Sequence, residues 1–192
     1  VFPRIGFALR QTWCQRRALT VLRTQHAIHH VCELSPHRLQ QLGIEVLVLD
    51  FDGVLAAHGE IQPHPTVREW LATLCRTLPP NKIFLLSNKP FRQRLAYLQQ
   101  HYPALTCVTG VAKKPYPHGL HWIANHTGIA PQHIALVDDR LCTGMLACAL
   151  AGTQGIYLRQ PLVNYAARPV QESYFQMLRK IENLGIRLLH FI

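Results

Sequence analysis

Leu47-Val48-Leu49-Asp50-Phe51-Asp52-Gly53-Val54-Leu55 decides the fold. The run leading into it, Ile44 to Leu49, is rich in β-branched and aliphatic residues, as a buried parallel strand is. Alternation along a strand points Asp50 and Asp52 to one side and Phe51 to the other. Two carboxylates therefore reach the carboxyl end of a central strand together, where open α/β sheets place their ligand sites. Carboxylates this close repel each other. Mg²⁺, a hard cation that takes oxygen ligands, relieves the repulsion. One carboxylate can then attack a phosphoryl group while its neighbour moves protons. The plainer alternative is a strand that ends in an Asx-type turn at Gly53.

The chain has 192 residues, which suits one domain with a full core. Apolar residues make up 48%, which excludes a disordered chain. No run reaches the roughly 18 apolar residues that mark a membrane span. The six cysteines form no Cys-x-x-Cys pair, and the spacing Cys142 to Cys148 fits no zinc pattern. They read as reduced thiols in a cytosol-like compartment, mostly as small core residues. The net charge of +10, carried far more by Arg than by Lys, calls for an anionic partner. Phosphate esters, nucleic acid and an anionic membrane surface all qualify.

Strands and helices alternate from residue 35 on. Ser35 at the N-cap, Pro36 at the first helical position and Gly43 at the end bound a short helix. Strand one follows, Ile44 to Asp50. A helix over 66–77 carries Val67, Trp70, Leu71 and Leu74 on one face. Lys82 to Asn88 is strand two with a polar end, and a helix over 91–100 follows. Ala104 to Thr109 is strand three, with a helix after Pro115 that runs to 127. Ile134 to Val137 is strand four, ending at Asp138-Asp139. A small-residue helix over 142–151 and strand five, Gly155 to Leu158, come next. The last helix spans 170–183 and leads to an apolar tail, Leu188 to Ile192. This alternation predicts an α/β fold: a doubly wound, mostly parallel sheet with helices on both faces and right-handed crossovers.

Polar groups fall just past four apolar segments. Asp50 and Asp52 end strand one, Ser87-Asn88 end strand two, Lys113-Lys114 follow strand three, and Asp138-Asp139 end strand four. In a parallel sheet these ends share one rim. Each pair has a duller role as a cap or a solvated loop. Together they supply a nucleophile, a hydroxyl donor, a cation and further metal carboxylates, the set that phosphoryl transfer needs.

This ordered set resembles the haloacid dehalogenase superfamily of aspartate-nucleophile phosphatases over about residues 44 to 160. Its four motifs match DFDGVL (50–55), LLSN (85–88), KKP (113–115) and VDD (137–139). The resemblance implies that Asp50 is the nucleophile and Asp52 the general acid, then base. It implies that Ser87 hydrogen-bonds the transferring phosphoryl group, with Asn88 beside it, and that Lys114 neutralises the charge. Lys113 is the fallback. It also implies Mg²⁺ held by Asp50, the main-chain carbonyl of Asp52, and Asp139, with Asp138 as a further ligand. The intervals between motifs hold only a loop and one helix, then a helix and a strand. Neither leaves room for a cap domain, so the chain is similar to the capless subclass (subclass III), whose open sites suit large or surface-bound substrates.

The helix before motif one (Leu39-Gln40-Gln41-Leu42-Gly43-Ile44), AKKP (112–115) and the run Val137 to Thr153 look closer still to the capless bacterial YqeG family. Its mitochondrial relatives are phosphatidylglycerophosphate phosphatases. That similarity implies removal of the terminal phosphate from phosphatidylglycerophosphate at a membrane surface. The chain departs from the family pattern in two places. Motif one usually continues Asn-Thr after its second acid, and here reads Gly53-Val54. Motif four usually reads Gly-Asp-Gln and later Thr-Asp, and here reads Asp138-Asp139-Arg140 and later Thr143-Gly144. The acid missing at Gly144 leaves Asp138 as its replacement.

Residues 1–34 form a basic amphipathic segment ahead of a phosphatase domain over 35–192. No acid occurs before Glu33, and Arg4, Arg10, Arg16, Arg17 and Arg23 are interleaved with apolar residues. Three structures share that composition: a helix lying on anionic lipid, a mitochondrial presequence, and a helix that covers the sheet with a basic outer face. Val1 fits a processed or trimmed start. The expected compartment is a bacterial cytoplasm or a mitochondrial matrix, with peripheral contact to the inner membrane. His26, His29, His30 and Cys32 have helical metal-ligand spacing, and His58 and His64 flank the loop after motif one. Arg140, Arg159 and Arg168 are candidate phosphate contacts. Two other functions fit the sequence: a phosphatase of soluble or nucleic-acid phosphoesters, and a catalytically weak binder of anionic membrane or RNA.

Overall fold

The computed structural model describes residues 2–189. Five parallel strands form one sheet in the order β3-β2-β1-β4-β5. They are β1 (Val46–Leu49), β2 (Ile83–Leu85), β3 (Leu105–Cys107), β4 (Ile134–Asp138) and β5 (Gln154–Tyr157). The helices are α1 (Phe2–Cys14), α2 (Arg16–Leu22), α3 (Pro36–Gln41), α4 (Pro65–Thr77), α5 (Arg92–His101), α6 (His118–Thr127), α7 (Leu146–Ala151) and α8 (Pro169–Leu189). A π-type turn over Leu141–Met145 leads into α7. The last helix runs six residues past its expected end and takes in Leu188 and Leu189. The rest of the expected apolar tail, His190 to Ile192, lies outside the described residues.

The apolar runs are continuous because both faces of the sheet are covered. Leu47 and Leu49 of β1 join one core with Ile83, Leu85, Ala135 and Val137. Their neighbours Val46 and Val48 join the other with Phe84, Ile134 and Leu136. Helices α3, α4 and α5 supply Leu39, Val67, Leu71, Leu74 and Leu98 to the first core. Helices α2, α6, α7 and α8 supply Leu19, Leu120, Ile123, Leu146 and Ile186 to the second. Right-handed crossovers demand this division once strand order runs outward in both directions from β1.

Packing runs unbroken across residue 34. Leu19 is fully buried in the second core, and Val31 and Leu34 are buried in the first. Ile28 pairs with Leu158 beside β5: its N–H donates to the Tyr157 carbonyl, and the Arg159 N–H donates to its own. Of the three forms open to the basic segment, α2 has the one that covers the sheet. Among the described residues no helix is long and apolar enough to cross a membrane. Ser35 caps α3 as its sequence demands, accepting the Arg38 N–H, with Pro36 next.

Leu49 and Leu136 sit on neighbouring central strands and face opposite cores. Truncating either to Ala is expected to cost about 2–5 kcal/mol in denaturant unfolding. A silent response at one position would show that its sheet face is not core.

Candidate active site

Strand order reverses between β1 and β4, and this switch point positions the site. Leu49 pairs with Val137, and the Asp50 N–H donates to the Val137 carbonyl at 3.0 Å. The next residue on each chain is thus Asp50 or Asp138. Lys114, 2% exposed, places its Nζ between them, 3.1 Å from Asp50 Oδ1 and 2.5 Å from Asp138 Oδ2. Asn88, just past β2, fixes the lysine backbone from both sides. Its Oδ1 accepts the Lys114 N–H at 2.8 Å, and its Nδ2 donates to the Lys114 carbonyl at 3.1 Å. Asn88 therefore positions the lysine, and its amide is turned away from the phosphate role that its motif suggests. Lys113 is exposed, so Lys114 is the lysine at the site.

Burial pulls the Lys114 ammonium down, but the Asp138 and Asp50 carboxylates outweigh it and hold the group charged. Burial pushes the Asp50 carboxyl up to about 8. Lys114 opposes that, and the charges of Asp138, Asp52 and Asp139 add to it.

Asp50, Asp138 and Asp139 each bring a carboxylate oxygen within 4.8 Å of the others, the separation one ion can bridge. Asp138 already uses both oxygens, since Oδ2 takes Lys114 and Oδ1 accepts the Arg140 N–H at 2.9 Å. Asp50 engages Lys114 through Oδ1, and Asp139 engages Arg179 through Oδ2, so each keeps a second oxygen for a cation. Hard oxygen donors of this kind fit Mg²⁺. Gly144 faces this cluster. A Cβ there would lie 2.1 Å from Asp138 Cγ and 2.3 Å from its Oδ2. The side chain of Asp138 occupies the room that an acid at 144 would need.

Asp52 does not join the other three. Strand β1 ends at Leu49, so strict alternation stops before Asp52, and its carboxylate turns to Arg94. Arg94 Nη2 donates to Oδ1 at 2.9 Å, Nη1 reaches Oδ2 at 3.3 Å, and the Gly59 N–H donates to Oδ1 at 3.0 Å. Arg94 is fully buried, bonded also to the carbonyls of Glu60 and Lys89, with its guanidinium 3.7 Å from the centre of the Phe51 ring. Ser87, half-buried at the rim, accepts the Lys89 N–H at 3.2 Å.

Helix α8 sends three charged side chains to residues at this rim. Arg179 donates through Nε to Asp139 Oδ2 at 2.5 Å, and its Nη2 lies at the same distance from that oxygen in the ion pair. Burial lifts the Asp139 carboxyl to about 6, and Arg179 restrains the rise. Glu182 bonds the Arg140 guanidinium and accepts the N–H groups of Leu141 and Cys142, capping the π-type turn. Glu172 is fully buried and holds His58, whose ring stacks on Phe175 at 3.9 Å. Burial, then the Arg179 charge, keep the His58 imidazole below its usual value against the pull of Glu172. The intervals between the first three strands hold α4 and then α5. The Asp50 side chain is 13% exposed at this rim.

The remaining candidates lie apart. His64 caps α4, accepting the Thr66 N–H. Arg140 is committed to Glu182, Arg168 contacts the Gly59 carbonyl, and Arg159 is exposed. His26, His29, His30 and Cys32 do not gather. Among the described residues the three aspartates are the one group of this kind within reach of a single ion.

With the geometry in place, a family model described as mitochondrial PGP phosphatase matches residues 18–163. The chain belongs to the mitochondrial PGP phosphatase family. It is thus a phosphatase, a phosphoric monoester hydrolase. No curated protein matches the chain. A solved structure of an uncharacterized protein from Corynebacterium glutamicum is 19% identical, covering 67% of this chain and 91% of its own, with a TM-score of 0.46. A second solved chain, with no protein named, is 14% identical and covers 77% of this chain and 85% of its own, with a TM-score of 0.49.

Arg94→Lys keeps the charge but loses the fork on Asp52. It is expected to lower kcat by about a hundredfold through misplacement of that carboxylate. Arg94→Ala should in addition cost about 3–5 kcal/mol in unfolding measurements. Wild-type turnover in Arg94→Lys would show that the clamp is irrelevant to the chemistry. Gly144→Ala is expected to destabilise by about 1–3 kcal/mol, because its methyl presses on Asp138. In an Asp138→Gly background the same substitution should cost much less, a coupling that a double-mutant cycle measures. Additive costs would show that the two positions do not compete for space.

Proposed function

We propose that this phosphatase is Mg²⁺-dependent, uses Asp50 as its nucleophile and removes the terminal phosphate of phosphatidylglycerophosphate. The observation that carries the proposal is the Asp50 carboxylate, set beside the Lys114 ammonium at 3.1 Å and within one ion's reach of Asp139. Membership of a family described as mitochondrial PGP phosphatase supports the substrate.

In this mechanism Asp50 attacks phosphorus, and the bond from phosphorus to the glycerol oxygen breaks. Asp52 gives a proton to the leaving alcohol, which departs as phosphatidylglycerol. Asp52 then takes a proton from water, which attacks the aspartyl-phosphate, frees phosphate and restores Asp50. Lys114 neutralises charge on the transferring group, and Ser87 donates to it. Asp50, Asp139 and the Asp52 carbonyl would hold Mg²⁺, which supplies charge neutralisation at the phosphoryl oxygens. Asp138 anchors Lys114. Mitochondrial association, with peripheral contact of the basic amino-terminal segment to the inner membrane, belongs to the same proposal.

The test is Mg²⁺-dependent phosphate release from phosphatidylglycerophosphate in liposomes. Wild type is expected to release phosphate, with chelator or Asp50→Asn abolishing release. Hydrolysis of soluble monoesters but not of the lipid would sink the substrate and keep the chemistry. Undiminished turnover in Asp50→Asn would sink the nucleophile.

A further inference from the structure

Helix α8 has two unlike faces. Its inner face carries Glu172, Phe175, Arg179, Glu182 and Ile186, spaced by three and four residues, and these contact the site and the core. Its outer face repeats the same spacing with apolar residues only. Val170, Tyr174, Met177, Ile181, Leu184 and Leu188 are all at least half exposed, with Val170 at 83%. At 100° per residue this stripe points nearly opposite the inner set. An unbroken apolar stripe about 30 Å long on one helix is a binding surface rather than scattered exposure.

Charge selects the occupant. Both acids of α8, Glu172 and Glu182, are consumed on the inner face, and the charged side chains left exposed on the helix are Lys180 and Arg187. Helices α1 and α2 contain no acid, and α1 exposes Ile5, Leu9 and Trp13 together with Arg10. Both α1 and α8 pack on α2 and on the π-type turn. A second copy would bring two chains of net charge +10 together. Anionic headgroups complement the flanking cations, and acyl chains complement the stripe.

We infer that the outer face of α8 docks on an anionic lipid surface while its inner face, through Arg179, holds Asp139 at the reaction centre. Membrane contact and chemistry then share one rigid helix. The inference deepens the lipid-phosphatase proposal, and it is tested by vesicle binding, which needs no turnover.

The full chain is floated with vesicles of phosphatidylcholine alone and of phosphatidylcholine mixed with phosphatidylglycerol. Wild type is expected to float with the anionic vesicles. Ile181→Glu/Leu184→Glu should weaken that binding by roughly tenfold or more, since each residue would bury a large apolar side chain. Ile181→Gln/Leu184→Gln should weaken it without added charge. Both pairs should hydrolyse a soluble monoester as wild type does, and Trp122→Glu, exposed on α6, should leave vesicle binding intact. Unchanged flotation of both double variants would overturn the inference, as would equal binding to phosphatidylcholine alone. A wild-type dimer that either pair converts to monomer would make a second copy the occupant. Vesicle binding by a protein that hydrolyses neither ester would instead defeat the phosphatase mechanism and leave the docking face standing.

Discussion

One buried ammonium ion organises this site. Lys114 bridges Asp50 and Asp138, the residues that follow two strands paired at the switch point of the sheet. Two carboxylates buried side by side destabilise the fold unless a cation is shared between them. The cation comes from the loop after β3, and Asn88, just past β2, grips its backbone. Four strand ends are thereby tied by one charge and one amide. The parallel sheet makes this possible because it delivers all the strand ends to the same rim.

Two glycines at the site, Gly53 and Gly144, make room for charge. At Gly144 any side chain would collide with Asp138. At Gly53, where φ is +86°, a Cβ would fall 2.5 Å from Asp139 Oδ2 and 3.2 Å from Arg179 Nη2. The Asp138 side chain and a side chain at 144 thus exclude each other. The absence of a side chain at 53 similarly admits the Asp139–Arg179 pair. All four aspartates of the chain lie in motifs one and four, in a protein of otherwise basic character.

Much of this was legible in the chain. Apolar runs bounded by turn residues fixed the strands to within a few residues, and polar pairs past their ends marked Asp50, Lys114, Asp138 and Asp139. Strand alternation ends with β1 at Leu49, and the turn after it aims the Asp52 carboxylate at Arg94. Asn88 carried a polar motif but no sign that its amide would be spent on a neighbouring backbone. Nothing local to α5 marks Arg94 as the partner of Asp52. Arg179, Glu172 and Glu182 share heptad-like spacing opposite an apolar stripe, a signal that was present but inverted, with the charged face turned inward.

Local order and strand direction are properties of the sequence, since side-chain periodicity and turn chemistry act over a few residues. They determined a doubly wound parallel sheet and an acidic rim at its switch point. Which charge faces which carboxylate was decided only by tertiary packing. Arg94 and Arg179 lie 42 and 40 residues from the aspartates they hold. A helix can place either face toward the sheet until burial and unpaired charge choose between them. The carboxylate of Asp139 and the N–H groups of the π-type turn engage the charged face of α8 and leave the apolar stripe outside.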